Sequence, residues 1–198
     1  KPRLSAGVVS DISDLVRANV HHSLQMAFSD VLVTSPDRDT LARAILDTVL
    51  GLQDLDGGGL YLQEADGSYV LHTAKGLGEP FVREAARVQA GSPRAELVEG
   101  GQTVATCLEP ADPADDGHLL RTHTMQAEGI QALVVLPIRV NGRSRACLNL
   151  ASKHVRRLPP GTLDVLQSLA IQFGLALERR SAREDALLHR STLEAFFN

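Results

Sequence analysis

Asn141-Gly142 stands between two runs of strand-forming residues, and no other feature restricts the fold of this chain as much. The pair demands a tight hairpin, because a type I′ turn requires positive φ at both central residues. The run before it, Ile-Gln-Ala-Leu-Val-Val-Leu-Pro-Ile-Arg-Val over residues 130–140, is apolar on both faces. That predicts a strand in the middle of a sheet, covered on both sides. The run after it alternates: Ala146, Leu148 and Leu150 point one way, Cys147, Asn149 and Ala151 the other. One face of this second strand is oily, and the other is able to carry polar groups. Pro137 fits such a sheet only where its missing N–H falls at an unpaired or bulged position.

The remaining pattern surrounds this hairpin with helices. Residues 10–34 read as a helix, with Ile12, Val16, Val20, Leu24, Phe28 and Val31 at spacings of three and four and Leu15 widening the stripe. A second helix is expected to start with Ser35 as N-cap and Pro36 at its first position, and to bury Leu41, Ile45, Val49 and Leu52. Gly51 and then Asp56-Gly57-Gly58-Gly59 are expected to end it. Strands are predicted at residues 60–63, 69–75 and 102–108, and short helices at 79–89 and 118–128. Residues 109–117 form a polar, proline-bearing loop. A long helix follows Leu158-Pro159-Pro160, apolar almost all round between residues 163 and 177. Its stripe continues thinly through Ala182, Ala186, Leu193 and Phe196, in the manner of a coiled-coil seam.

Composition bounds the function. In 198 residues, 43% hydrophobic and 22% charged, there is material for one core with helical extensions. A net charge of −4 gives no bulk attraction to nucleic acid or anionic lipid. No apolar run reaches the roughly 20 residues that span a bilayer. Two cysteines outside any Cys-x-x-Cys element point to a reduced, cytoplasmic setting. The chain opens on Lys1 without an initiating Met, as a piece cut from a longer protein would.

The order helix, helix, strand hairpin, short helices, strand, helix, strand hairpin, long helix resembles a GAF domain. The Leu133-Val-Val-Leu-Pro-Ile-x-Val-x-Gly142 run leading to Ala146-x-Leu-x-Leu150 carries the resemblance. It implies an α+β fold: a central antiparallel sheet of five or six strands, helices on both faces, long helices at either end. The terminal helices would pack on one face and the short helices over the other, often around a small-molecule pocket. The expected division is a connector helix over residues 1–36, the sensory domain over 37–177 and a coiled-coil connector over 178–198. The last eight residues are similar to a helix leading into a PAS domain of bacterial sensors.

The resemblance does not bring the ligand sets of known subfamilies with it. Of the Asn-Lys…Phe…Asp-Glu set of cyclic-nucleotide binders, only Lys153 is present, beside Ser152, Leu158, Thr162 and Leu163. The Asp-Ile-Pro segment and Cys-His pair of bilin binders are missing, as are the several cysteines of sulfoxide-reducing relatives. Cys107 and Cys147 read as core thiols. His118 and His123, five apart, do not share a helix face, and no metal-ligand set accompanies them. His21-His22 lacks the surroundings of a phospho-accepting histidine, and Gly57-Gly58-Gly59 precedes a strand, which is wrong for a phosphate loop. No paired acid and base or activated nucleophile is seen, so no catalytic residue and no metal ligand is expected. The sequence names no cofactor.

The polar side of the sheet remains. Tyr61, Gln63, Thr103, Cys147 and Asn149 are the candidate ligand-binding residues, since each is expected to face the covering helices. The expected function is a non-catalytic, ligand-sensing regulatory domain of a bacterial signalling protein, passing its state to adjacent domains through the terminal helices. The alternative is a ligand-free dimerisation and relay module. In either case Ile171 and Leu175 define a second stripe on the last helix, and a homodimer through the terminal helices would cover it.

Overall fold

The computed structural model describes residues 37–52, 54–107 and 122–196. The helix expected over residues 10–34, the loop at 109–117 and His118 lie outside them, as do the side chains of the seam beyond residue 182.

The first described helix, α1, spans Arg38–Val49. Its N-cap is Asp37 rather than Ser35: extended at φ −135°, Asp37 accepts the Thr40 N–H at 2.7 Å. A carboxylate there satisfies an orphan donor and complements the helix dipole. Leu41, Ile45 and Val49 are buried, as their spacing predicts.

Six strands form one antiparallel sheet: β1 (Gly57–Gln63), β2 (Tyr69–Lys75), β3 (Arg87–Val88), β4 (Val104–Cys107), β5 (Ala132–Val140) and β6 (Arg143–Ser152). Their spatial order is β3-β2-β1-β6-β5-β4, with β1 and β6 in the middle. The β5–β6 turn is the expected one, with φ of 51° at Asn141 and 75° at Gly142. β4 pairs with β5 only up to Val135, so Pro137 lies past the end of β4. It also precedes a register shift at Ile138/Arg139, where a missing donor costs little.

Two expectations for the sheet are corrected. The helix ends at Val49, two residues before Gly51 as expected, but the later glycine run is no part of that ending; it opens β1, in mid-sheet. A Cβ on Gly58 would stand 2.7 Å from the Asn149 carbonyl oxygen, so close strand packing explains the glycine there. The helix expected over residues 79–89 is only α2 (Glu79–Glu84). The chain then turns into the two-residue edge strand β3, pairing Val88 with Tyr69 and Arg87 with Val70. Arg87 ties to Asp66 of the β1–β2 turn at 2.5 Å, which draws this segment back to the sheet edge.

Two further short helices complete the cover, α3 (Pro93–Glu99) and α4 (His123–Ala127), capped by Ser92 and Thr122. The last helix, α5, spans Pro160–Phe196. Its 37 residues extend for about 55 Å at roughly 1.5 Å each, well beyond the sheet.

The sheet separates two apolar layers. On one face α1 and α5 pack on alternate residues of three strands, including Leu60, Leu136 and Leu148. Leu166, Leu169 and Phe173 supply the inner side of α5. On the other face α2, α3 and α4 cover Tyr61, Leu133, Val135, Cys147 and Ala151. The alternation of β6 read from the sequence is the alternation between these two layers.

Candidate functional site

A cavity of about 50 Å³ lies between the second face of the sheet and the three short helices. Its floor comes from three neighbouring strands. Asn149 of β6 pairs with Gly59 of β1 on one side and Val135 of β5 on the other. Tyr61 pairs with Cys147, and Leu133 with Ala151, so all seven present to the same layer. Phe81 of α2, Arg94 and Val98 of α3, and Met125 of α4 form the roof.

The lining is apolar apart from a few groups. Burial pushes the Cys147 thiol up to about 12, which keeps it protonated and unreactive near neutral pH. Burial likewise raises the Tyr61 phenol to about 12, against the pull of the Asn149 side chain and the Arg94 guanidinium. Asn149 Oδ1 is closed off from solvent and has no hydrogen-bond partner among the described residues. Gly59 has no room for a side chain, because a Cβ there would come within 2.6 Å of Leu71 Cδ1 and 3.5 Å of the Tyr61 ring.

One end of the cavity is held by a polar strap. Glu128, just past α4, accepts from the Gly78 N–H at the start of α2 and from Lys153 Nζ at 3.0 Å. The Lys153 hydrogen bond, supported by Gly78, holds the Glu128 carboxyl below the usual carboxylate range. The Lys153 N–H donates in turn to Asp56 Oδ2 at 2.5 Å, with the Ser152 hydroxyl at 3.3 Å from the same oxygen. Two cover helices, the end of β6 and the entry to β1 are thereby joined. Lys153 was the one residue matching the cyclic-nucleotide set, and its ammonium is spent on Glu128.

Of the five candidate residues, Tyr61, Cys147 and Asn149 line the cavity; Gln63 and Thr103 do not. Gln63 sits nearer the β1–β2 turn, where its amide meets the Tyr69 hydroxyl at 3.4 Å and Arg145 at 3.3 Å. Tyr69, buried and hydrogen-bonded to the Ser144 carbonyl at 3.0 Å, fills the layer there. Thr103 precedes β4, because only Val104 to Cys107 find partners on β5. Gly59 and Arg94 escaped the sequence reading. Gly59 was hidden in a run that reads as a turn, and Arg94 follows a proline with no periodicity to place it. Among the described residues no group of three His, Cys, Asp or Glu could hold a metal ion.

Paired helices on one face of a six-stranded antiparallel sheet and a roofed cavity on the other define the class of α+β domain to which the chain belongs. The GAF domain profile matches residues 35–178, and the chain belongs to the GAF domain family. Solved structures agree with the fold. The GAF domain of a phosphoenolpyruvate-protein phosphotransferase from Coxiella burnetii superposes with a TM-score of 0.67 at 18% identity, covering 86% of this chain and 98% of that one. The phycoerythrobilin-bound GAF domain of a cyanobacterial phytochrome gives 0.66 at 17%, covering 84% and 99%. A domain described as that of a two-component sensor histidine kinase from Sinorhizobium meliloti gives 0.61 at 19%, covering 77% and 98%. No curated protein matches the chain. No helix among the described residues is long and apolar enough to cross a membrane.

Proposed function

We propose that this chain is the ligand-sensing, non-catalytic domain of a cytoplasmic bacterial signalling protein, with residues 37–177 as the sensor and the flanking helical segments as connectors. The observation that carries the reading is the roofed cavity over β1, β6 and β5. Its roof consists of three short helices, which move at lower cost than the sheet. β6 supplies the rest of the argument. Cys147 and Asn149 meet the cavity while Leu148 and Leu150, between and beside them, meet the layer under α1 and α5. A ligand that favours one packing of the roof biases the same strand that supports α5, and α5 carries the bias out of the domain.

Native mass spectrometry of the chain purified from cells tests this. A retained mass that is lost on denaturation, and lost again when Ala151→Phe fills the cavity, is the expected result. A chain that carries no such mass and is unshifted in melting temperature by a small-molecule library would overturn it.

The alternative reading is a dimerisation and relay module with no ligand. Ile171 is 65% exposed and Leu175 48%, on the outer side of α5. A second copy of the chain covering this stripe would serve either reading, since a paired α5 transmits a rotation or register shift better than a lone helix.

A further inference from the structure

The roofed cavity is small: about 50 Å³, space for about four waters at ~10–15 Å³ each. A larger ligand enters only if part of the wall moves aside. The floor is not that part, since β1, β6 and β5 are each paired on both sides. The roof helices are held unequally. α3 is capped by Ser92, buries Ala95 and Val98, and packs directly on β5 and β6. α2 buries Phe81 alone, has no side-chain cap, and has α4 as its chief neighbour. Yet its segment forms a whole wall: Leu77, Phe81 and Ala85, at intervals of four, all line the cavity.

Glu128 supplies the hold that α2 lacks. Gly78 is the N-cap position of α2, and its N–H donates to Glu128 Oε1. The approach uses the bare Cα, since a Cβ there would stand 2.1 Å from that oxygen. The other carboxylate oxygen accepts from the Lys153 ammonium at 3.0 Å, which anchors Glu128 to the end of β6. The Glu128 side chain is only 17% exposed, so water screens these contacts in part. At its far end α2 runs into β3, which is paired to β2 and tied to Asp66 through Arg87. α2 thus hangs between Lys75, at the end of β2, and Arg87, at the start of β3, with Glu128 holding its first turn down.

We infer that α2 is the gate of the cavity and Glu128 its latch: release of Gly78 lets α2 swing outward between β2 and β3, lifting the wall of Leu77, Phe81 and Ala85 while α3 stays on the sheet. This rests on the ligand-sensing reading above and adds how the site is entered.

Amide hydrogen exchange in the 198-residue chain reads the gate. In α2, the Val82 N–H donates to the Gly78 carbonyl at 3.0 Å and the Ala85 N–H to the Phe81 carbonyl at 2.8 Å. Glu96 and Gly100 are their counterparts in α3. Val82 and Ala85 should exchange faster than the α3 pair, at rates nearly independent of urea below about 1 M, hence without global unfolding. Glu128→Ala should speed that urea-independent exchange about tenfold in α2, the ratio that a hydrogen bond to a charged acceptor provides, and add none in α3. Cys147, on the floor, reports whether the opening reaches the cavity. Burial blocks a brief pulse of reagent, so iodoacetamide is applied for hours, and peptide mapping separates Cys147 from Cys107. Its labelling should be as flat in low urea as Val82 exchange and should rise by the same factor in Glu128→Ala. Urea-independent exchange that quickens in α2 and α3 together overturns the gate. So does Cys147 labelling that climbs steeply with urea from the start, or that stays unchanged while α2 exchange quickens. If Glu128→Ala does not fold, Lys153→Met decides by the same pattern at about threefold, the effect of a partly exposed ion pair. None of these readings involves a bound molecule. A failed gate therefore leaves the ligand-sensing reading standing, and that reading falls only by the mass and melting measurements given for it.

Discussion

The Glu178 carboxylate accepts a hydrogen bond from the backbone N–H of Asn141, tying the end of the packed part of α5 to the β5–β6 turn. One helical turn earlier, Gly174 lets α5 press on β5, since a Cβ there would run into the Arg139 carbonyl oxygen. These contacts set how α5 leaves the sheet. Gly174→Ala should therefore cost about 1–3 kcal/mol, as overpacking does in a close-packed layer. Glu178→Ala should cost less, about 0.5–1 kcal/mol, because it removes one hydrogen bond at an exposed turn. Urea denaturation of the two variants checks both the order and the size.

The strap at Glu128 makes a prediction in acid. Its carboxyl is held below the ordinary 4.5, first by the Lys153 hydrogen bond and then by the Gly78 N–H. A depressed folded-state pKa means stability that is fully present above about 4.5 and is lost as pH falls through the folded value. Glu128→Gln should lower the melting temperature at neutral pH, and the gap from the unaltered protein should close as acid is added. A gap that stays constant would mean that the Glu128 charge contributes nothing. Asp37 and Asp66 are lowered as well, but they act equally in both proteins.

The sheet was legible in the sequence because two-residue alternation and Asn-Gly chemistry are local. β5, β6 and the division of β6 between two layers needed nothing else. Tyr61, Cys147 and Asn149 were legible for the same reason, as the off-phase residues of half-oily strands. What escaped was set by partners far along the chain. Gly57 to Gly59 read as a break because glycine disfavours strands in isolation; only the nearness of β6 and β2 makes small residues necessary there. The end of α2 is fixed by β3 meeting Tyr69 and Val70, which no helical periodicity announces. Thr103 and Gln63 were placed by phase alone, and phase says nothing of where a ladder stops or which neighbour fills the layer.

In base, three buried groups act together. Cys147 is pushed up from 9.0 to about 12, and Tyr61 and Tyr69 from 10.0 to about 12, each by burial first. Their folded forms hold protons that the unfolded chain releases. The stability they contribute is fully present below the unfolded values and fades as pH rises from about 9 toward about 12. Melting temperature should decline over that interval, and less steeply in Cys147→Ala. Peptide mapping after a maleimide pulse at neutral pH should find Cys147 unmodified until denaturant is added; labelling in the folded protein would contradict its burial.

The outer stripe of α5 supports the last prediction. Leu166, Phe173 and their neighbours are used up on the sheet, while Ile171 and Leu175, four apart and on one helix face, are left exposed. Apolar area gains about 25 cal/mol per Å² on burial, and a two-fold pairing of α5 would bury the same stripe on both copies. Association has its own entropy cost, so two residues alone would give a weak dimer, and continuation along the helix is needed to strengthen it. A replacement at an exposed site leaves the core intact. Ile171→Glu with Leu175→Glu should therefore keep the unfolding free energy of a dilute sample in urea within about 0.5 kcal/mol of the unaltered chain. Sedimentation equilibrium at micromolar concentration should show the unaltered chain associating to twice its mass and the double variant staying single. An unaltered chain that sediments as a single copy would remove α5 pairing as the means of relay. An association that survives both glutamates would move the interface to another surface.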